Sequence, residues 1–234
     1  MKTRDKIVHT SLNLFNEQGE RNITTNHIAA FLNISPGNLY YHFRNKEDII
    51  SSIFSLYESH LDSGFQLYKT DNVDVPLLIG YFDTMFDTLW KFRFLYANLT
   101  DILNRDQSLL KRYQIVQQKA LQRSSNILAK LKHDNMLDID PEKVTPLADT
   151  MRMIACFWVD YKQTHSIYGT ICQASLYEGL LRVIMIFKAH ATQDSKQVFT
   201  QLEHHYQRLA AGQTTKNSDA KPCSCMPEPL TLVV

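Results

Sequence analysis

A dense run of aromatic and hydrogen-bonding side chains stands between residues 38 and 42 of this sequence. Asn38, Tyr40, Tyr41 and His42 surround the apolar Leu39. An asparagine amide can pair bidentately with adenine, and tyrosine can donate its hydroxyl to a phosphate or lay its ring against a thymine methyl. This density is unusual for a surface that meets only water. These side chains have the chemistry to contact bases or phosphates, and the elements that hold them decide whether they do so.

Two short helices joined by a tight turn are predicted to position these side chains. Thr24 or Thr25 can cap the first helix through its hydroxyl, and Ser35 is a good N-cap for the second. Pro36 then stands at the first helical position, where a missing N–H costs nothing. Asn45 caps a third helix. The apolar faces of the first two helices are formed by Ile28, Ala29, Leu32, Leu39 and Phe43. A helix, a short turn and a second helix with a polar exposed face make a helix-turn-helix motif.

The segment from about Asp5 to Phe54 resembles the DNA-binding domain of the TetR/AcrR family of transcriptional regulators. The pattern Gly-x-Leu-Tyr-x-His-Phe-x-x-Lys-Glu is intact from Gly37 to Glu47. Further matching residues are Leu14-Phe15, Gly19, Thr24-Thr25, Ile28-Ala29 and Ser35-Pro36. In the family, the positions that match the following residues lie at the DNA: Thr25, Ser35, Gly37, Asn38, Tyr40, Tyr41, His42 and Lys46.

Each of these residues has a chemistry that suits DNA. Thr25 lies at a helix N-terminus and can offer its hydroxyl and backbone N–H groups to one phosphate. Gly37 has no side chain, so the second helix can approach the major groove closely. Asn38 is the best candidate for direct base readout. His42 and Lys46 suit phosphate contacts. In an alternative interpretation, one of the two tyrosines packs against the first helix of the chain instead.

The composition predicts an all-α protein. The 234 residues are 44% hydrophobic and include only seven glycines and seven prolines. No apolar run is long enough for a membrane span and no signal peptide is recognisable, so we expect a cytoplasmic protein with reduced cysteines. The net charge of +1 argues weakly against DNA binding. Locally, however, the only fixed charges between residues 24 and 46 are those of Arg44 and Lys46, both positive.

Three segments are predicted. Residues 1–46 form a three-helix DNA-binding domain, and residues 47–211 form a larger helical domain for ligand binding and dimerisation. The larger domain begins with a connecting helix over residues 47–69, and a later helix runs to about Asn104. Residues 212–234 are predicted to be a disordered tail. The tail contains Cys223 and Cys225, which could bind a soft metal but lack the four ligands of a structural zinc site.

Two late helices are predicted to form a dimer interface. One runs from Pro146 to about His165 with Thr145 as its cap, and the other runs from Ala174 to about Ala191. Both are apolar over more than one face, which a monomer would struggle to cover. The residues assigned to the interface are Ile154, Trp158, Leu176, Leu180, Val183, Ile184 and Phe187. The alternative is that these helices fill the core of a monomer.

The resemblance also implies a small-molecule effector bound in the larger domain. Aromatic walls suit a flat or lipophilic ligand. The residues assigned to the pocket are Phe86, Trp90, Phe94, Tyr96, Met151, Phe157, Tyr161 and His165. No cofactor, structural metal or catalytic residue is expected.

The predicted function is therefore a dimeric repressor that binds a near-palindromic DNA operator and is released by a small molecule. Two alternatives are an all-α enzyme and a protein-interaction module that uses the helix-turn-helix fold without DNA. Against the enzyme, the sequence contains no metal-binding His pair with a neighbouring Glu, no Gly-x-Ser-x-Gly turn and no phosphate-binding glycine loop.

Overall fold

The computed structural model describes residues 2–64, 75–165 and 171–215, with side chains described as far as residue 211. These residues form helices and contain no strand, which confirms the all-α prediction. The α-helices, numbered α1 to α11 in chain order, are Thr3–Gln18, Thr25–Phe31, Pro36–His42, Lys46–Gly64, Val75–Lys91, Arg93–Ala97, Leu99–Arg105, Gln107–His133, Val144–Thr164, Gln173–Ala189 and Lys196–Thr215. Short 3-10 helices cover Glu20–Asn22 and Pro141–Lys143. No helix among the described residues is long and apolar enough to cross a membrane.

The chain divides into two compact units. The first comprises Met1–Lys69 and Asp87–Lys119, and the second comprises Thr70–Phe86 and Ala120–Val234. The first unit thus includes the helix-turn-helix segment together with α4, α6 and α7. The domain boundary at residue 46 is inferred from the sequence pattern and stays a prediction.

In the first unit, apolar residues of α1 and α4 form a common core. Phe15 on α1 and Phe54 on α4 are almost fully buried, and the Phe15 ring lies 5.3 Å from that of Phe94 on α6. Asn16 ties α6 to α1, because its Oδ1 accepts from the Phe94 N–H at 3.0 Å. The Tyr57 and Tyr96 hydroxyls hydrogen-bond across the core at 3.1 Å. These contacts give the helix-turn-helix segment a rigid base.

In the second unit, aromatic rings link α5, α10 and α11. The Phe187 ring lies 5.7 Å from Phe82 and 5.6 Å from Phe199, and all three side chains are buried. The Tyr206 hydroxyl lies 2.7 Å from Asp83 Oδ1 and 3.1 Å from the Ile79 carbonyl oxygen. Burial and the Asp83 carboxylate raise the pKa of Tyr206. The phenol therefore stays protonated and serves as a hydrogen-bond donor.

Several predicted helix ends differ from the structure. Thr145 is not a cap, because the chain enters α9 through the 3-10 helix Pro141–Lys143 and α9 already begins at Val144. The helix expected to end near Asn104 is found as α7, which ends at Arg105, and the aromatic cluster before it forms the separate short helix α6. The last helix continues past the predicted tail boundary to Thr215. The tail cysteines at positions 223 and 225, and residues 65–69 of the predicted connecting helix, lie outside the described residues.

A close approach of α9 and α10 explains one buried glycine. A Cβ atom on Gly179 would lie 2.6 Å from Trp158 Cδ1, and the Trp158 indole N–H donates to the Ser175 carbonyl at 2.6 Å. The tryptophan is therefore fixed on both sides.

We expect Gly179→Ala to lower the free energy of unfolding by about 1–3 kcal/mol, the usual cost of overpacking a core. The matched control is Gly80→Ala on α5, where an added Cβ meets nothing within 4 Å. Alanine is the better helix former, so the control should gain about 0.5–1 kcal/mol. Urea unfolding of both variants tests the pair. Equal stabilities would contradict the tight α9–α10 contact.

Candidate nucleic-acid interface

Side-chain caps fix both helices of the helix-turn-helix motif. Thr24, and not Thr25, is the N-cap of α2: its Oγ1 accepts from the His27 N–H at 3.3 Å, and His27 Nδ1 lies 3.4 Å from the Thr24 nitrogen. Ser35 caps α3 by accepting from the Asn38 N–H at 3.2 Å, with Pro36 in the first turn. Both caps were among the predicted ones and are confirmed. The caps satisfy backbone donors that a short helix would otherwise leave unpaired.

The start of α4 is fixed in the same way. Asn45 Oδ1 accepts from the Asp48 N–H at 2.8 Å, which confirms the third predicted cap. In return, Asp48 Oδ2 accepts from the Arg44 N–H at 3.1 Å. The turn between α3 and α4 therefore has little freedom, and it fixes the direction in which α3 leaves the core.

The inner and outer faces of α3 are sharply different. Leu39 is fully buried and Phe43 nearly so. On the outside, the Tyr41 side chain is 84% exposed and its ring meets His42 edge-on at 5.1 Å. Gly37 and Asn38 are also exposed. An exposed tyrosine of this kind has no role in the core, so the outer face of α3 is available for a partner.

Tyr40 joins α3 to α2 through its hydroxyl, which lies 3.0 Å from Thr25 Oγ1. The side chain nevertheless stays half exposed. The contact therefore differs from the alternative in which a tyrosine packs against α1. Two adjacent hydroxyls at the N-terminus of α2 form a neutral hydrogen-bonding site that suits a phosphate oxygen.

Lys46 is the one predicted DNA contact whose charged group has partners within the chain. Its Nζ lies 2.7 Å from Glu20 Oε1 and also donates to the carbonyl oxygens of Glu20 at 3.0 Å and Ile23 at 3.3 Å. The side chain is only 20% exposed. In this structure the ammonium group is thus directed into the protein, because a buried carboxylate attracts it. The phosphate contact assigned to Lys46 stays a prediction.

Glu20 is the residue that the sequence interpretation missed. Its side chain is fully buried, and it receives Arg105 as a second cation, with Nη2 at 2.9 Å and Nη1 at 3.4 Å. Arg105 also lies 3.3 Å from Asp101 and 3.6 Å from Glu47. These anions raise the pKa of Arg105 although its partial burial acts in the opposite direction. One signal was available: Glu20 is the only acidic residue between Gly19 and Lys46.

Arg44 is differently placed from Lys46. Within the described part of the chain, no ion pair or hydrogen bond involves its guanidinium, and the side chain is exposed. It follows directly after the inward-facing Phe43. Arg44 therefore offers a free positive charge at the C-terminal end of α3.

Most of the predicted dimer residues are buried within the second unit. Ile154 and Trp158 are partly exposed, whereas the other five side chains are covered by their own chain: Leu176, Leu180, Val183, Ile184 and Phe187. This correction has a clear cause, because α10 packs between α9 and α11 and its apolar face forms the core. The exposed apolar residues of the same two helices are Met153, Phe157, Tyr161 and Met185.

The predicted pocket residues have separate surroundings. Phe94 and Tyr96 pack into the core of the first unit as described above, and Trp90 lies under the Arg93 guanidinium at 4.1 Å. In the second unit, Phe86 stacks on Tyr177 at 4.1 Å and Met151 is buried. Three predicted residues lie on the exposed surface: Phe157, Tyr161 and His165.

An open groove of about 770 Å³ lies in the second unit, between α5 and α11. None of the predicted pocket residues lines it. Its lining residues are Val75, Ile79, Gln201, His204, His205, Gln207, Arg208 and Ala211. Within the described ranges, no group of three or more His, Cys, Asp or Glu residues is placed to hold a metal ion.

Comparison with known families gives two matches that together cover most of the chain. A model described as "Bacterial regulatory proteins, tetR family" matches residues 7–53. A second model, TetR, described as "Bacterial transcriptional repressor", matches residues 56–199. The first match contains α2 and α3 with all the caps described above.

Solved structures resemble most of the chain. A TetR-family transcriptional regulator from Marinobacter aquaeolei VT8 is 35% identical with a TM-score of 0.80, and the match covers 88% of this chain and 99% of that one. The ketosteroid transcriptional regulator KstR2 of Mycobacterium tuberculosis has a TM-score of 0.61 at 16% identity, covering 82% of this chain and 96% of its own. The second likeness concerns the fold alone.

Curated relatives match over a shorter stretch. The HTH-type transcriptional regulator AcrR of Shigella flexneri is 35% identical over 60 residues, which is 26% of this chain and 28% of that protein. The HTH-type transcriptional regulator QacR of Staphylococcus aureus is 39% identical over 59 residues, which is 25% of this chain and 31% of its own length. The chain thus spans less than a third of the length of either relative.

The Glu20 contact predicts a stability cost for losing Lys46. Lys46→Met removes a charged hydrogen bond to the buried Glu20 carboxylate, while Arg105 still pairs with that carboxylate. We therefore expect the free energy of unfolding to fall by about 1–3 kcal/mol. Arg44→Met is the matched control, because this exposed side chain should change stability by no more than about 0.5 kcal/mol. Thermal unfolding compares them. Equal stability of the two variants would show that the Lys46 contacts contribute nothing.

Proposed function

The chain belongs to the TetR family of bacterial transcriptional regulators, and from this premise we propose that it is a cytoplasmic, ligand-responsive repressor that binds a near-palindromic DNA operator as a dimer. The observation that carries the proposal is the outer face of α3. Its inner face is held by Leu39 and Phe43, while Asn38 and Tyr41 stand exposed on a helix that is capped at its first turn. This arrangement suits insertion into a major groove.

The proposed DNA contacts divide into those that read bases and those that position the protein on the sugar–phosphate backbone. Asn38 is proposed to read a base edge, since it is exposed in the first turn of α3 beside the side-chain-free Gly37. Tyr41 is proposed to meet a base methyl or a phosphate. The Thr25–Tyr40 hydroxyl pair, with exposed Ser35 and partly buried His42, is proposed to hold the sugar–phosphate backbone. Arg44 adds a free cation.

Dimerisation is proposed to use the exposed apolar residues of α9 and α10. Met153, Phe157 and Tyr161 follow one another at four-residue spacing and therefore lie on one face of α9, and each is at least half exposed. Met185 is the exposed apolar residue of α10. A second copy of the chain would cover these side chains. In such a dimer, two recognition helices in successive major grooves would be about 34–36 Å apart, one turn of DNA.

Release by a small molecule is proposed to act on that separation. A ligand that favours another arrangement of the two α3 helices weakens operator binding by a coupling free energy of about 1–3 kcal/mol, or roughly 5- to 150-fold. Such a coupling suffices for a switch in which nothing unfolds.

Selection of bound sequences from a random duplex pool tests operator binding. We expect a palindromic consensus bound at about 10⁻⁸ M or tighter. Asn38→Ala should weaken binding by about 1–3 kcal/mol per base contact and relax the base preference at one position of each half-site. Asn13→Ala, an exposed asparagine on α1, is the matched control and should bind as the unmodified chain does. Weak binding with no preferred sequence would refute the proposal in favour of a protein-interaction module.

The dimer surface is tested by mass in solution. Phe157→Glu places a charge on the exposed face of α9, so light scattering at micromolar concentration should show a monomer because a buried unpaired charge is costly. The control is Ile115→Glu on α8, where the side chain is similarly exposed but lies outside α9 and α10. This variant should remain a dimer. A dimeric Phe157→Glu variant would mean that another surface joins the subunits.

A further inference from the structure

One buried carboxylate holds two cations that come from different parts of the sequence. Glu20 lies in the 3-10 helix that precedes the reading motif, Lys46 opens α4, and Arg105 closes α7. Both cations contact the same carboxylate, with Lys46 at Oε1 and Arg105 at both oxygens. All three residues belong to the first unit.

We propose that Arg105 is a positioning residue for DNA binding, because it competes with Lys46 for Glu20 and thereby decides whether the Lys46 ammonium can reach an operator phosphate. The inference rests on the proposed function and adds to it a named point of control. While Arg105 holds Glu20, Lys46 can leave for DNA. When Arg105 is withdrawn, Glu20 retains Lys46 and the phosphate contact is lost.

The burial of Glu20 makes this competition effective. Its side chain is fully buried, so an ionised carboxylate there cannot turn to water when a partner leaves. Arg105 reaches both carboxylate oxygens, at 2.9 and 3.4 Å, and is a sufficient partner by itself. When Lys46 leaves, the only groups that lose its ammonium as a donor without another cation in its place are two neutral carbonyl oxygens, those of Glu20 and Ile23. Without Arg105, the same departure would leave a buried anion unpaired.

Lys46 is well placed to change partners. It begins α4, four residues after His42 at the end of α3, and its side chain keeps 20% of its surface exposed. The ammonium group sits on a flexible four-carbon chain and can rotate towards solvent without moving the backbone. A short rotation therefore connects the internal contact and a phosphate beside α3.

Arg105 also has alternative partners. Asp101 lies one helical turn away at 3.3 Å, and Glu47 lies at 3.6 Å. Asp101 in turn pairs with Arg21 at 3.0 Å. A small shift at the end of α7 can thus move the guanidinium from Glu20 to these carboxylates while it stays paired. The displacement would leave Glu20 paired with Lys46 alone, which keeps Lys46 from the phosphate and lowers operator affinity.

The test measures the salt dependence of operator binding, which counts phosphate ion pairs. The slope of log K against log salt concentration is about −0.9 for each phosphate neutralised. Arg105→Gln should leave Lys46 on Glu20, so the slope for a dimer should become shallower by about 1.8, for one ion pair per subunit. Affinity near 0.1 M salt should fall roughly tenfold, equivalent to about 1.4 kcal/mol.

A second substitution separates competition from a general structural effect. In Glu20→Gln the carboxylate charge is gone and Lys46 is free. The slope counts ion pairs and should therefore equal that of the unmodified chain, although the affinity itself falls because the reading motif loses a fixed contact. Adding Arg105→Gln to Glu20→Gln should then leave the slope unchanged. Lys46→Met should give the shallow slope alone, and combining it with Arg105→Gln should give no further change. Arg105→Lys keeps a cation beside Glu20 and should restore most of the slope.

Arg112→Gln is the matched control. Arg112 in α8 also joins α4, through Glu58, Ser51 and Ser55, with distances to Glu58 Oε1 and Ser51 Oγ of 3.3 and 2.9 Å. It makes no contact with Glu20 among those described, so it should alter stability without changing the slope. Thermal unfolding of every variant confirms that the folded fraction is complete at the binding temperature.

The outcomes separate the two proposals. If the unmodified chain forms no sequence-specific complex, the repressor function fails and the role of Arg105 fails with it. If the complex forms but Arg105→Gln changes the slope equally with and without Glu20, or does not change it at all, the competition is overturned and the repressor function stands. A slope change that requires both Glu20 and Lys46 establishes the competition.

Discussion

The burial of one carboxylate is the constraint on which the reading motif depends. An ionised group without solvent must be paired, and Glu20 is paired by Lys46 and Arg105. These pairs fix the start of α4 and the end of α7 against the turn that precedes α2. Because α3 lies between that turn and α4, and its ends are capped by Ser35 and by the Arg44–Asp48 turn, its orientation follows from the same contacts. The specificity of a DNA reader rests on such orientation, since base contacts tolerate little displacement.

The local part of the motif could be predicted from sequence because its physics is local. N-cap residues, a proline in the first turn and apolar residues at four-residue spacing act within a few positions of one another. The predicted caps at Thr24, Ser35 and Asn45 are therefore found in the structure, as are the inward-facing Leu39 and Phe43. The cap assigned to Thr145 is wrong because a neighbouring element determines the start of α9. The 3-10 helix before it leads directly into α9.

The long-range part could not be predicted in the same way. Glu20 and Arg105 are separated by 85 residues, and no local pattern in either segment points to the other. The dimer residues show a related difficulty. When a helix is apolar over more than one face, its sequence does not show which face will be buried by its own chain. In α10 the most regular apolar stripe, including Leu180 and Ile184, is buried in the core of its own unit. The pocket suffered from the same ambiguity, because aromatic residues such as Phe94 and Tyr96 serve packing as readily as ligand binding.

The distribution of charge around α3 has a further consequence for how such a protein would bind DNA. The whole chain carries a net charge of only +1, and the internal pairing of Lys46 leaves Arg44 as a free cation beside α3. Nonspecific affinity depends on the number of phosphates neutralised, so a low count keeps it weak. Contacts through neutral groups, such as the Thr25–Tyr40 hydroxyls, depend on geometry more than on charge. If a single lysine changed partner, the electrostatic part of the DNA-binding free energy would then change by a large fraction. A control point at Glu20 therefore needs to move only one charge per subunit to alter operator affinity.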